Sequence, residues 1–143
     1  MGVTAGRGAW SGAGGFLLDT HVVLWLLAVP GRIPPDVLDT LGDRRNVLRV
    51  SAASAMEVAT KVRLGRLPQG AGLVGSWSRR IAELGADPLA IGPEHALRAG
   101  SMAWEHRDPF DRILVSQAQH ENLALATVDA AILALPGVRT LTW

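Results

Sequence analysis

The chain has 143 residues, of which 48% are hydrophobic and 19% are charged, and it contains no cysteine. This length and composition support one domain with a hydrophobic core, and the lack of cysteine excludes disulfides and cysteine-ligated zinc. Because the formal net charge is only +1, no overall basic field indicates a nucleic-acid partner. Any such partner must be inferred from a local site.

The first fifteen residues are rich in glycine and hold six of the 16 glycines in the chain. We expect 1–15 to form a flexible leader and 16–143 to form the domain. A misassigned upstream start codon would also explain the presence of this leader. The apolar run 16–29 is shorter than the roughly 18 residues that a membrane span needs. Asp19 and His21 also interrupt it, so we predict no transmembrane helix.

Predicted strands and helices alternate through the rest of the chain. In chain order they are strand 16–18, helix 22–28, helix 34–41, strand 46–50, helix 51–64 with Gly65 as its stop, helix 73–84, strand 87–91, helix 93–104, helix 110–121, strand 123–127 and strand 138–141. This alternation is typical of an α/β sandwich with a largely parallel sheet.

Four acidic residues fall where parallel sheets place functional sites, near the carboxyl ends of strands. Asp19 follows the first strand, and Glu57 lies early in the helix after the second. Asp111 opens a later helix, and Asp129 follows the strand 123–127. A carboxylate inside an apolar segment, as at Asp19, costs several kcal/mol unless it is paired or metal-bound. The position of Asp19 in an apolar segment therefore favours a functional role for this residue.

The other three acids also have structural explanations. Ser54 and Glu57 have the spacing of a capping box. Asp108 and Asp111 suit the start of a helix, and Asp129 suits a turn or a cap. The residues themselves leave both explanations open.

Four carboxylates around one pocket would repel one another, and we expect no lysine partner at these positions to neutralise them. A divalent cation would do so. Oxygen ligands without cysteine or an evident histidine pair favour hard ions, Mg²⁺ or Mn²⁺, over zinc. Such an ion polarises a phosphoryl group and activates water, which is the chemistry of phosphodiester hydrolysis.

Four segments, in this order and spacing, together resemble the PIN-domain ribonucleases, specifically the VapC-type toxins of bacterial toxin–antitoxin pairs. They are LLDTHVVLWLL at 17–27, SAASAMEVATKVRLGRL at 51–67, HRDPFDRILVSQAQ at 106–119 and LALATVD at 123–129. The resemblance covers about 16–143 and implies a PIN-like three-layer α/β/α sandwich. It also implies divalent-metal-dependent endoribonuclease activity and inhibition by a small VapB-like antitoxin.

The resemblance implies four metal-site acids, which would also be the catalytic residues: Asp19, Glu57, Asp111 and Asp129. Asp108 would cap its helix or reach a water on the ion. Thr20 and Ser51 lie beside strand ends, where they would hydrogen-bond the ligating carboxylates or serve as ordinary caps. Arg112 is a candidate phosphate contact.

Two histidines flank the acids. We expect His21 to be a half-buried, hydrogen-bonded residue and His106 to line the loop that enters the helix of Asp111. The expected mechanism requires neither.

We expect a cytoplasmic protein that cleaves RNA and forms a homodimer within a toxin–antitoxin complex. Trp25 and Trp77 are candidate anchors for the partner or for self-association, although both also suit the core. One alternative is a catalytically inactive PIN-like module that binds RNA or a partner. Another is a haloacid-dehalogenase-like phosphatase, which would need a second aspartate where this chain has His21.

Overall fold

A computed structural model describes residues 2–4 and 15–143 of the chain. Its strands form one parallel sheet: β1 (Gly2–Thr4), β2 (Phe16–Leu18), β3 (Leu48–Ser51), β4 (Ala86–Leu89), β5 (Ala124–Ala126) and β6 (Thr140–Thr142). Their order across the sheet is β1-β6-β5-β2-β3-β4. All pairs of neighbours run parallel, so the sheet is fully parallel where the sequence predicted it to be largely so.

The helices lie between the strands along the chain. They are α1 (Thr20–Ala28), α2 (Pro35–Gly42), α3 (Ala52–Arg63), α4 (Ala71–Val74), α5 (Trp77–Glu83), α6 (Pro93–Ser101), α7 (Pro109–His120) and α8 (Ala130–Leu133), with 3₁₀ turns at Pro30–Arg32 and Pro68–Gly70. Gly65 ends α3 as predicted, because its φ of +72° lets its own amide and that of Arg66 bond back to carbonyls of the last turn.

The core has two halves, one on each face of the sheet. Phe16 and Leu18 of β2 point into the half that contains residues of α1, α2 and α5. Leu17 points into the other half, against residues of α7 and α8. Alternate residues of a strand face opposite sides of a sheet, so the central strand is apolar on both faces. The predicted α/β/α sandwich is therefore confirmed.

Two predicted helices differ from the structure. The helix predicted over 73–84 is divided into α4 and α5 at Gly75 and Ser76, where Ser76 has a non-helical φ of −129° and its hydroxyl donates to the carbonyl of Gly72. Neither residue favours a helix interior. The helix predicted to reach Trp104 ends at Ser101, and a segment with neither helix nor strand, 102–108, follows it.

The predicted leader lies largely outside the described residues, which omit 1 and 5–14. Its residues 2–4 form β1, which pairs with β6, and the flexibility of 1–15 stays a prediction. In the described part of the chain, none of the helices combines the length and apolarity that crossing a membrane would require.

Gly15 directly precedes the central strand, β2, and has a backbone conformation that only glycine adopts easily. Its φ is +95°, and a Cβ atom there would lie 2.3 Å from the carbonyl oxygen of Val47. The carbonyl of Gly15 accepts the amide of Ala124, while the next amide, that of Phe16, donates to Val47. The residue therefore joins β2 to both of its neighbours.

We expect Gly15→Ala to lower the free energy of unfolding by about 2 kcal/mol or more, because the substitution adds both a strained φ and a steric clash. Gly42→Ala is the matched control, since a Cβ there would meet no atom within 4 Å. Chemical denaturation of the two variants checks this. Equal stability of the two would contradict the role given to Gly15.

Candidate active site

The strand order reverses at β2. From β2 the chain continues to β3 on one side, and it later returns to β5 on the other. In open parallel sheets, ligands bind at the carboxyl ends of the strands at such a reversal. Asp19 directly follows β2 and Thr127 directly follows β5, and the Thr127 hydroxyl donates to Asp19 Oδ2 over 2.6 Å. This hydrogen bond joins the carboxyl ends of the two strands.

Asp19 is almost fully buried, with 5% of its surface exposed. Burial raises the pKa of its carboxyl above the usual value, and the hydrogen bond from Thr127 opposes that increase. The negative charge of Glu57 raises the pKa further. Asp19 and Glu57 therefore lie close enough to repel each other, although they are 38 positions apart in the sequence.

Glu57 lies on α3 and is 9% exposed. Its Oε2 forms an ion pair of 2.9 Å with Nζ of Lys61, one helical turn later. The expectation that no lysine neutralises the acids is therefore wrong for Glu57. The spacing of four residues between an acid and a lysine is the usual signal for such a pair.

Asp111 lies in the first turn of α7, and its Oδ2 is 2.7 Å from Nε2 of His106. Burial raises the pKa of Asp111 to about 6, and the negative charges of Asp108, Asp19 and Asp129 add to the increase. The hydrogen bond from His106 opposes it. These acids therefore act on one another as a group, which we call the acid pocket: Asp19, Glu57, Asp108, Asp111 and Asp129.

Asp108 and Asp129 are helix caps, as their alternative interpretation predicted. Asp108 Oδ1 accepts the amides of Phe110 and Asp111, and Asp129 Oδ1 accepts those of Ala131 and Ile132. Within the described residues, these hydrogen bonds engage one oxygen of each carboxylate. Capping thus leaves Oδ2 of each side chain for a further contact.

Ser51 is a helix cap, which is one of its two expected roles, whereas Thr20 binds the Asp19 carboxylate through its main-chain amide and not through its hydroxyl. The Thr20 hydroxyl donates to Ser54 Oγ over 2.9 Å, and Ser51 Oγ caps α3 by accepting the amide of Ala53. Thr127 instead provides the hydroxyl that binds Asp19. Its oxygen also accepts the amide of Asp129, so it joins the loops of two acids.

Arg112 has its guanidinium turned to the main chain. It donates to the carbonyls of Ala99, Met102, Trp104 and His106 over 2.6–3.1 Å. Four hydrogen bonds engage most of the five N–H donors of a guanidinium. The side chain suggested for a phosphate contact therefore holds the segment 102–108, and with it His106. This tertiary contact explains why α6 ends at Ser101.

Among the described residues, two groups place ligand-type atoms within 4.8 Å of one another. One is His106, Asp108 and Asp111, at the start of α7, and the other is His95, His120 and Glu121, near the opposite end of that helix. The Nδ1 atom of His95 accepts the amide of Gly92 over 3.0 Å, so the neutral ring carries its proton on Nε2. That proton is directed to Glu121 Oε2 at 2.9 Å. A metal-binding histidine needs a lone pair on the ligating nitrogen, and the group is therefore explained as a helix cap with an ion-pair partner.

Trp25 and Trp77 are both half-buried against the core half that holds α1. Trp25 borders a groove of about 480 Å³, and the guanidinium of Arg32 lies 5.0 Å from its ring centroid. His21, at the edge of the same groove, is exposed where we expected it to be half-buried.

The PIN domain family model matches residues 16–137. The chain therefore belongs to the PIN domain family. No curated protein sequence matches it significantly.

Solved structures share this fold. DNA-bound VapBC from Salmonella typhimurium aligns with a TM-score of 0.64 and 17% identity, over 90% of this chain and 98% of its own. VapBC2 from Rickettsia felis, bound to a DNA fragment from its promoter, aligns over the same shares with a TM-score of 0.64 and 14% identity. A Pyrobaculum aerophilum protein aligns over 96% of this chain and 90% of its own, with a TM-score of 0.51 and 18% identity. At these identities, the similarity establishes the fold.

We expect the acid pocket to destabilise the metal-free protein at neutral pH. The raised pKa of Asp111 means that the folded state binds this proton more tightly than the unfolded chain, so stability is lost as the pH rises from 3.8 through about 6. Asp111→Asn should therefore stabilise the protein by about 1 kcal/mol at about pH 7.5, after a discount for partial exposure, and by about half as much at about pH 5.

Thermal unfolding in EDTA measures this difference. Asp39→Asn, at an exposed position of α2, is the control and should change stability by less than about 0.5 kcal/mol at either pH. A lower stability of Asp111→Asn than of the wild type at about pH 7.5 would contradict the expectation that burial and repulsion among the acids destabilise the protein.

Proposed function

We propose that this protein is a divalent-metal-dependent endoribonuclease and the toxin of a VapC-type toxin–antitoxin pair. The observation that carries the proposal is the acid pocket itself, which lies at the strand reversal of a PIN domain. Burial and mutual repulsion raise the pKa values of Asp19 and Asp111. Perturbed pKa values of this kind are typical of functional sites.

The donor set of the pocket fits a hard cation. Its acids provide carboxylate oxygens, which Mg²⁺ and Mn²⁺ prefer. We assign Asp19, Glu57, Asp111 and Asp129 as the residues that hold the ion, with Asp108 at the edge of the site. When bound, the ion would polarise the phosphodiester and offset the negative charge that develops during hydrolysis.

The chain's own side chains prepare the pocket for this chemistry. Thr127 orients Asp19 by donating to one carboxylate oxygen, and His106 orients Asp111 in the same way. Arg112 holds the carbonyl of His106 and so supports the second of these contacts indirectly. Because these carboxylates are already oriented, they would need little reorganisation to place an ion and a substrate in a reactive geometry.

The proposed substrate and partners follow from the family resemblance and from the fold shared with VapBC structures. RNA is the substrate, a VapB-like antitoxin is the inhibitor, and the chain forms a homodimer within their complex in the cytoplasm. Co-purification of this protein with the product of a neighbouring short reading frame tests whether that product is the antitoxin.

We expect the wild-type protein to cleave a mixture of structured and single-stranded RNAs in Mg²⁺ or Mn²⁺, and to lose this activity in EDTA. Asp19→Asn and Asp111→Asn should each reduce the rate by about 100-fold or more, because each removes a charged ion ligand. Gel analysis of the RNA fragments over time measures the rates.

Asp39→Asn is the control for this assay and should cleave at the wild-type rate. Undiminished cleavage by both site variants would contradict the metal-site assignment. A wild-type protein that binds RNA or the antitoxin but cleaves no RNA would favour the inactive module. Turnover of small phosphate esters would favour the phosphatase.

A further inference from the structure

The sequence contains one lysine, Lys61, and the rest of its 14 lysines and arginines are arginines. Its ammonium lies 2.9 Å from Glu57 Oε2, and the two side chains are 31% and 12% exposed. This ion pair places a positive charge inside the acid pocket. It occupies a carboxylate that the proposed function assigns to the metal ion.

The ammonium and a divalent cation cannot both use Glu57 Oε2 without repelling each other. Two positive charges a few ångströms apart repel strongly where solvent is partly excluded. Without either cation, however, Glu57 would be a largely buried carboxylate with no opposite charge, which is costly. Even an ion on the second oxygen of Glu57, Oε1, would lie a few ångströms from the ammonium on Oε2 and would repel it.

Lys61 also differs from the main-chain amides that bind Asp108 and Asp129, because its ammonium can leave the carboxylate. Asp108 and Asp129 bind amides of their own helices, and those amides cannot move away while the helix is intact. Lysine carries its charge on a flexible stem of four carbons, and about a third of this side chain already reaches solvent. Rotation of the stem would hydrate the ammonium.

We propose that Lys61 is the exchangeable partner of Glu57. It neutralises Glu57 while the pocket has no ion, and a divalent cation binds by taking over that carboxylate, which releases the ammonium. Lys61 is thus a positioning residue that sets the ion affinity of the site. The inference rests on the metal site of the proposed function, and the experiments below separate the two.

The side-chain amine of Lys61 can be followed by itself, because no other lysine is present. The wild-type protein is treated with an acetylating reagent, with and without Mg²⁺ or Mn²⁺, and acetylation of the peptide that contains residue 61 is followed by mass spectrometry. We expect acetylation to become several-fold faster with the ion. The amino-terminal amine of the same sample is the internal control for the reagent.

Thermal unfolding of the same samples reports whether the ion binds. If the ion stabilises the protein but the acetylation rate of Lys61 stays the same or falls, the exchange is refuted and the metal site remains. If the ion neither stabilises the protein nor changes the rate, the metal site itself fails, and the exchange fails with it.

Variants give a second measurement. Lys61→Met should bind Mn²⁺ about fivefold more tightly than the wild type, since the competing charge is gone, and it should unfold at a lower temperature in EDTA. Lys61→Arg keeps the charge and should bind no more tightly than the wild type. Arg63→Met removes a charge from an exposed position of the same helix and should change affinity by less than about twofold. Equal Mn²⁺ affinity of Lys61→Met and the wild type would overturn the inference.

Discussion

The hydrogen bond from Thr127 to Asp19 is the contact on which the acid pocket depends. It joins the ends of β2 and β5, the neighbouring strands at which the sheet reverses its order. The same hydroxyl accepts the amide of Asp129, so it also positions the loop before α8. A buried carboxylate that keeps its charge needs such a partner. The other acids are arranged around this fixed point.

Much of the fold follows from local sequence patterns, whereas the contacts within the site do not. Apolar runs and turn residues predicted the strands and most helices, because a parallel sheet buries its central strands on both faces. Gly75 and Ser76 did carry a signal for the break between α4 and α5. The early end of α6 had no such signal, since it depends on Arg112 and on carbonyls that only the folded chain brings together.

The acids themselves could be predicted, but their partners could be predicted only where they are close in sequence. Lys61 lies four residues after Glu57, a spacing that indicates such an ion pair, although we expected no lysine partner for these acids. Thr127 is 108 positions from Asp19, and no local pattern connects the two. Capping also proved compatible with a role in the pocket, because a carboxylate has two oxygens and the cap amides of Asp108 and Asp129 engage one of each.

The edge strand β4 contains Pro88, which pairs with Val50 on its inner side. Proline has no amide hydrogen, so this border of the sheet lacks one of the donors that an added strand would use. Natural sheets often use such a residue to prevent edge-to-edge aggregation. At this border, the addition of a strand from another chain is therefore disfavoured.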